Sequence, residues 1–378
     1  MSSESTDLLL ERRLGSVVEY TLNRPNKLNA LSDQLTHLLK TKLQYAETDE
    51  TVEVIVLRGN GRAFCAGGDV VALSLQAKTG KDEEIQKANT FMRGQYLLNH
   101  ICATLDSKVT VAFWHSITMG GGMGFSVPLD FRVCSPNTMI AMPECSISFF
   151  PDVGASYFLN QLGPGIGMYL ALTGNRLTGY EAVAFGLATH YMEIETIEEA
   201  VQALSKASSR DQVNRLLTGL ASQPSNDAIA AAKEKLKYIK ETFTAPNLNQ
   251  IFARLEAMNN AWSRAALVGL RSGSPTAVSV TFEMLKRGKS KTAEQCREME
   301  YVLHTHFMRL PDFIEGVDKK LVRKPARKPQ WQPSSRSEVT QAMIDAFFVP
   351  VPTDGVLQLG AKVADPKKQN RFVRHGSS

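Results

Sequence analysis

Two carboxylates and two glycine runs are the residues of this chain whose types and spacing suggest chemistry. Glu144 follows Met142-Pro143 and precedes a mostly apolar stretch, Ser146-Ile147-Ser148-Phe149-Phe150; Asp152 stands eight residues further on, in Pro151-Asp152-Val153-Gly154. An acid among apolar neighbours is either capped and paired or poised with a raised pKa. In a cleft it becomes a candidate acid, base or nucleophile. Asp152 directly precedes an expected helix, so a plain N-cap role fits it equally. The run Gly120-Gly121-Gly122, followed by Met123-Gly124, is costly in conformational entropy. A helix opening there presents free N–H groups and a partial positive charge, the ingredients of an oxyanion hole. Close helix–sheet packing needs the same glycines, and the two uses are compatible. The second run, Ala66-Gly67-Gly68-Asp69, would bring backbone close to a ligand, with Asp69 suited to cap a following helix. The glycines of this second segment do not have the spacing of a dinucleotide fingerprint or a phosphate loop.

These segments need elements to hold them. Residues 8–22 read as two short strands around a turn at Gly15. A helix is expected from after Ser32 to about Thr48, with Leu31, Leu35, Leu38, Leu39 and Leu43 on one stripe. The β-branched run VEVIVLR at 52–58 reads as a buried strand, and 108–114 and 130–133 read as two more. Residues 78–84 are polar and expected to be a mobile loop; 89–105 carry a helical apolar pattern. Strand, turn, helix, strand is the opening of an α/β layer fold. Thr178 with Glu181 three residues later is a capping box, and 188–193 reads as a last short strand. Beyond about residue 210 the chain reads as helices broken at Pro246, Pro275 and Pro311. The basic run 319–328 reads as a solvated face or an anion contact rather than a nucleic-acid groove, and 350–378 as a poorly ordered basic tail.

Composition narrows the function classes. The 378 residues are 43% apolar, ample for a large core. A scattered net charge of +5 does not imply nucleic-acid binding and leaves an anionic ligand or an anionic partner surface open. Five cysteines without paired spacing read as thiols in a reducing compartment. The seven histidines form no metal-ligand cluster, and His304 and His306 would diverge on a helix, so no metal site is expected. No apolar run approaches the length of a membrane span. The beginning, MSSESTDLLLERR, matches neither a secretory signal nor a mitochondrial presequence well.

The segments AFCAGGD, HSITMGGGMG, MPE and FPDVG, in this order and at these spacings, resemble the crotonase (enoyl-CoA hydratase/isomerase) superfamily. Within it the resemblance is greatest to the 3-hydroxyisobutyryl-CoA hydrolase branch, and it covers residues 9–331. It implies an α/β fold, a spiral of repeated β-β-α units with a helical C-terminal region. The division would be a core with the CoA and acyl site at 1–210, a mainly helical region covering the site at 211–348, and the tail at 349–378. It also implies an acyl-CoA substrate with no metal and no bound cofactor, coenzyme A being part of the substrate. By motif, Gly68 and Gly121 would supply the oxyanion-hole N–H groups. Lys27, Ala66, Gly67, Asp69, Gly120, Gly122 and Gly124 would contribute to binding the substrate. Glu144 would attack the thioester or activate water, and Asp152 would orient the substrate hydroxyl or water and assist proton transfer. Hydratases of the superfamily carry a glutamate three residues after the middle glycine; here that position is Gly124, which argues for hydrolysis over hydration. Ser116, and Ala155-Ser156 after Gly154, replace glycines usual in the hydrolase branch. The resemblance implies valine breakdown in the mitochondrial matrix, with peroxisome and cytoplasm as alternatives, and a monomer or small homo-oligomer. Two other readings compete: a subunit of a mitochondrial ribosome, the one route by which a nucleic-acid partner enters, and an enoyl-CoA isomerase or hydratase.

Overall fold

The computed structural model describes residues 7–359. Strands β1 (Leu9–Leu14) and β2 (Val17–Leu22) form a hairpin, and helix α1 (Asp33–Thr48) follows. Ser32 caps α1 by accepting from the Leu35 N–H, and Leu35, Leu39 and Leu43 are buried along one face. From there the chain repeats one unit: a strand for a first sheet, a short strand for a second, then helix or turn. β3 (Val54–Gly59) and β4 (Ala63–Cys65) lead to α2 (Val70–Lys78) and α3 (Asp82–Thr104). β5 (Val109–Trp114) and β6 (Ile117–Met119) lead to α4 (Gly121–Ser126). β7 (Phe131–Cys134) and β8 (Met139–Ala141) lead to a 3-10 turn at Glu144–Ile147, then α5 (Ala155–Phe158) and α6 (Ile166–Thr173). β9 (Leu177–Thr178), α7 (Gly179–Ala184) and β10 (His190–Tyr191) complete the sheets. The first sheet runs β1-β2-β3-β5-β7-β10 and is parallel beyond the β1–β2 hairpin; the second runs β4-β6-β8-β9, with β9 alone antiparallel. This is the mixed architecture of repeated β-β-α units expected from the sequence.

Both faces of the first sheet are covered. Val54, Val56, Val111 and Phe113 pack on α8 (Ile197–Leu204) and α9 (Arg210–Gly219). Ile55, Leu57, Ala112 and Trp114 belong to the larger core with α1 and α3. Side chains alternate along a strand, so a sheet buried on both faces needs apolar residues at nearly every position. That is why these strands read as continuous apolar runs. Each large side chain fully buried there contributes about 1.5–3 kcal/mol.

The remaining chain is helical: α10 (Asn226–Phe243), α11 (Leu248–Met258), α12 (Ala261–Ser272), α13 (Pro275–Gly288), α14 (Ala293–Phe307), α15 (Pro311–Val317) and α16 (Gln341–Ala346). Pro275 and Pro311 open helices, since the first turn has no use for the missing N–H. The basic run beyond α15 is mostly exposed, as expected, with Lys319 near Glu315 (3.4 Å) and Arg323 on Asp318 (2.5 Å).

Two expectations change. The polar stretch 78–84 is mostly helical, because Asp82, Glu83 and Glu84 fill the first turn of α3 and complement its dipole. The segment expected to trail off as a tail remains packed as far as Leu359. Asp354 is buried, its carboxylate meets Arg309 at 2.6 Å, and its backbone oxygen accepts from Tyr301 (3.0 Å) and Arg93. Leu357 and Leu359 are buried beside it. A polar composition does not show that one acid has a long-range cationic socket. Residues 360–378 of that expected tail lie outside the described residues. Among the described residues no helix is long and apolar enough to cross a membrane. Among the same residues no group of three or more His, Cys, Asp or Glu is placed to hold a metal, and the five cysteines are buried free thiols.

Candidate active site

Three neighbouring parallel strands of the second sheet build the site. β4, β6 and β8 lie side by side and point the same way, so the segments leaving their C-terminal ends are brought together. β4 runs into Ala66-Gly67-Gly68, β6 into Gly120-Gly121, and β8 into Met142-Pro143-Glu144. The crevice beyond the carboxyl ends of parallel strands is where α/β folds bind ligands.

The glycines are needed because these turns touch. Gly67 has φ +105° and Gly120 φ +46°, backbone that disfavours any side chain. A Cβ on Gly120 would lie 2.8 Å from Oε1 of Glu144, and one on Gly121 would lie 3.2 Å from the Gly68 nitrogen and 2.9 Å from Oε1 of Gln95. The N–H groups of Gly68 and Gly121 therefore sit in adjoining turns, with the Glu144 carboxyl beside them. The other two glycines are closed by packing. A Cβ on Gly122 would meet the Cys65 oxygen at 2.3 Å, and one on Gly124 would meet Cγ2 of Val153 at 2.3 Å.

The segment 26–31 is laced to the first glycine turn. Leu31 donates to Gly67 O (2.8 Å), Ala66 to Leu28 O (3.0 Å) and Asp69 to Leu31 O (3.0 Å). Buried Asn29 donates to Asn60 O (2.9 Å) and Ala63 O (2.8 Å), which holds Leu28 and Asn29 at positive φ. Lys27 is exposed on this loop. Asp69 caps α2 through the Ala72 N–H and pairs with Arg24 at 3.5 Å. Beside it a cavity of about 570 Å³ opens between α2 and α3, lined in part by Leu73 and Phe91.

Glu144 and Asp152 are buried, 8% and 9% exposed. Burial first, then the charge of Asp152, pushes the Glu144 carboxyl well above the usual range. Burial, then the charge of Glu300, pushes Asp152 up to about 8. Asp152 is not a helix cap: Gly154 holds that position before α5, with no side-chain bond. Instead Asp152 precedes two left-handed residues, Val153 (φ +52°) and Gly154 (φ +89°).

Four residues at this site went unidentified in the sequence. Gln95, Tyr96 and Asn99 come from α3. Gln95 lies against both glycine turns, Tyr96 feels the charges of Glu300 and Asp152, and Asn99 donates to Gly124 O. Glu300 comes from α14 and accepts from the Gly154 N–H (2.6 Å), the Ser156 N–H (2.7 Å) and the Ser156 hydroxyl (2.6 Å). The helical pattern placed Tyr96 on the buried face of α3, but no local signal couples these residues to motifs far off in the chain. Oε2 of Glu144 and Nε2 of Gln95 are buried without a hydrogen-bond partner among the described residues. Buried polar atoms in that state suit a ligand or ordered water. The arrangement offers paired N–H donors for an oxyanion, an acid beside them, and a second acid with a raised proton affinity.

Comparison with known proteins agrees with this geometry. Residues 17–348 match the family model described as enoyl-CoA hydratase/isomerase. The chain is 36% identical over 360 residues to the mitochondrial 3-hydroxyisobutyryl-CoA hydrolase of Dictyostelium discoideum, covering 92% of this chain and 93% of that one. It is 35% identical over 369 residues to 3-hydroxyisobutyryl-CoA hydrolase 1 of Arabidopsis thaliana, covering 95% of each. Among solved structures, a carnitinyl-CoA dehydratase from Mycobacterium thermoresistibile superposes with a TM-score of 0.85 at 31% identity, covering 94% of this chain and all of that one. The chain belongs to the enoyl-CoA hydratase/isomerase family, the crotonase superfamily. It is an enzyme of that superfamily acting on an acyl-CoA thioester.

Proposed function

We propose that this enzyme hydrolyses the thioester of 3-hydroxyisobutyryl-CoA, or a related short 3-hydroxyacyl-CoA, to the free acid and coenzyme A. The observation that carries this reading is the source of the second acid. The hydratase position three residues after Gly121 is Gly124, and its Cβ direction is filled by Val153 at 2.3 Å. The second buried carboxyl comes instead from Asp152, the residue preceding that valine. A pair of acids flanking an alkene for water addition is therefore replaced by a pair suited to a thioester. The named hydrolase relatives support the same substrate, and those whose names include a mitochondrial location support the mitochondrion as its place of action.

In this reading the thioester oxygen sits between the N–H groups of Gly68 and Gly121. These stabilise the negative charge that develops as the carbonyl carbon is attacked, each donor contributing about 3 kcal/mol. Ionised Glu144 either takes a proton from the attacking water or attacks the carbon itself, giving an anhydride that water then opens. The C–S bond breaks, and protonated Asp152 supplies the proton that neutralises the departing thiolate. The active state is the acid pair holding a single proton, as like charges in a buried site favour. The test is release of free thiol from 3-hydroxyisobutyryl-CoA by the native enzyme and by Glu144→Gln. Thiol release that falls at least about 100-fold in the variant supports the reading. A folded native enzyme that releases none rejects it.

A further inference from the structure

Glu300 lies outside every motif-bearing segment, 146 residues from the Gly154 N–H that it accepts. Its side chain is fully buried. All three of its donors belong to one turn: the N–H of Gly154, the N–H of Ser156 and the hydroxyl of Ser156. That turn begins at Asp152 and passes through Val153 and Gly154, both at positive φ. Non-glycine backbone at positive φ persists only where surroundings impose it, and an anionic acceptor of three short hydrogen bonds is such a constraint. The same turn is braced from α3, where Asn99 accepts from Nε of Arg297 and donates to Gly124 O. Ser156, one of the departures from the family pattern, thus has a partner in this chain.

We propose that Glu300 is the positioning residue for Asp152, its carboxylate holding the turn 153–156 so that the Asp152 carboxyl faces Glu144 and the glycine turns. This rests on the reading of Asp152 as the acid of the hydrolysis. Glu300 also acts through its charge. The groups facing it are Asp152 at the turn, with Glu144 beyond; Tyr96 from α3; and Arg297 and Cys296 on its own helix. Tyr96 and Cys296 are buried neutral groups, and Arg297 is the one cation among them. Burial pushes the Glu300 carboxyl itself up to about 7, and above that pH its negative charge favours the protonated form of Asp152. Removing its charge, with Arg297 retained, lets Asp152 lose its proton at lower pH.

The test compares native enzyme, Glu300→Gln and Ser156→Ala. Gln keeps one oxygen acceptor but sets an N–H donor against a donor of the turn. Glu300→Gln should lower kcat by about 10–100-fold, the scale of a misplaced acid, with KM within about twofold. Its alkaline limb should move to lower pH. Ser156→Ala removes one hydrogen bond and leaves the charge; it should lower kcat by about 3–10-fold with the limb in place. An activity-independent readout is the infrared C=O band of protonated Asp152, assigned by its loss in Asp152→Asn and followed against pH. The expected result is a band that disappears at lower pH in Glu300→Gln. Unchanged kcat and an unmoved band in folded Glu300→Gln overturn the proposal. A shifted band in an enzyme that releases no thiol supports the role of Glu300 and rejects the hydrolase reading instead.

Discussion

Gly124 is the position where the smallest perturbation should have the most specific effect. In Gly124→Ala the added methyl carbon would lie 2.3 Å from Cγ2, 2.5 Å from Cβ and 3.0 Å from O of Val153. Ordinary contact begins near 3.4 Å, so Val153 must retreat by about 1 Å, and overpacking of this kind costs about 1–3 kcal/mol. The residue that must move is bonded to Asp152 and already sits at φ +52°. A shift of that size at an acid in the site is expected to lower kcat about 100-fold, while the melting temperature falls by only a few degrees. The cause is isolated by a second change. Val153→Gly removes the two nearest colliding atoms, leaves only the backbone oxygen at 3.0 Å and puts a residue at ease at positive φ there, so Gly124→Ala/Val153→Gly should recover most of the lost kcat in a double-mutant cycle. Free-thiol release and thermal unfolding measure both terms. Gly124→Ala within twofold of native kcat, or a double variant no better than the single, would refute the reasoning.

Four further outcomes are expected. The hydrolysis rate should be bell-shaped in pH: the acid limb rises as the buried pair, both of whose carboxyls are pushed above the usual range, loses its first proton, and the alkaline limb falls as it loses the second. A flat profile through neutral and alkaline pH would contradict this. Asp152→Asn should unfold at a higher temperature than native enzyme, by a margin that grows as pH rises from about 4 to 8. The sign follows because the folded pKa is raised: native Asp152 keeps its proton while the unfolded chain loses it, so this contribution to stability is present at low pH and is lost through that window. Gly120→Ala should abolish most activity, since its Cβ would fall 2.8 Å from the Glu144 Oε1 atom; kcat near native would argue against the juxtaposition. Asp354→Asn should destabilise the fold by about 1–3 kcal/mol in urea unfolding, because it weakens a buried charge pair whose Arg309 partner is partly exposed.

Much of the first sheet was legible because its signals are local. The apolar runs at 52–58 and 108–114 announce buried strands, Ser32 announces the start of α1, and Thr178 with Glu181 forms the capping box that the residue spacing indicates. The glycine triplet was legible as a helix opening, since Gly121 begins α4. What could not be read is contact between distant segments. Nothing local to residue 300 indicates that it accepts hydrogen bonds from a turn 146 residues earlier. Asp354 likewise has no neighbour in sequence that reveals its Arg309 socket, so the segment was expected to hang free. The two-residue strand β9 is too short for any periodicity. The convergence of the acids and glycines follows from β4, β6 and β8 being parallel neighbours, a property of sheet order that no single stretch encodes.

The most direct measurement of the central claim follows both fates of one substrate. 3-Hydroxyisobutyryl-CoA is incubated with the enzyme, and free coenzyme A, free acid and the enoyl thioester formed by loss of water are quantified together by mass spectrometry, with Glu144→Gln alongside. Hydrolysis predicts equal amounts of coenzyme A and acid, no accumulation of enoyl thioester, and loss of both products in the variant. Enoyl thioester without free coenzyme A would contradict it and place this enzyme with the hydratases.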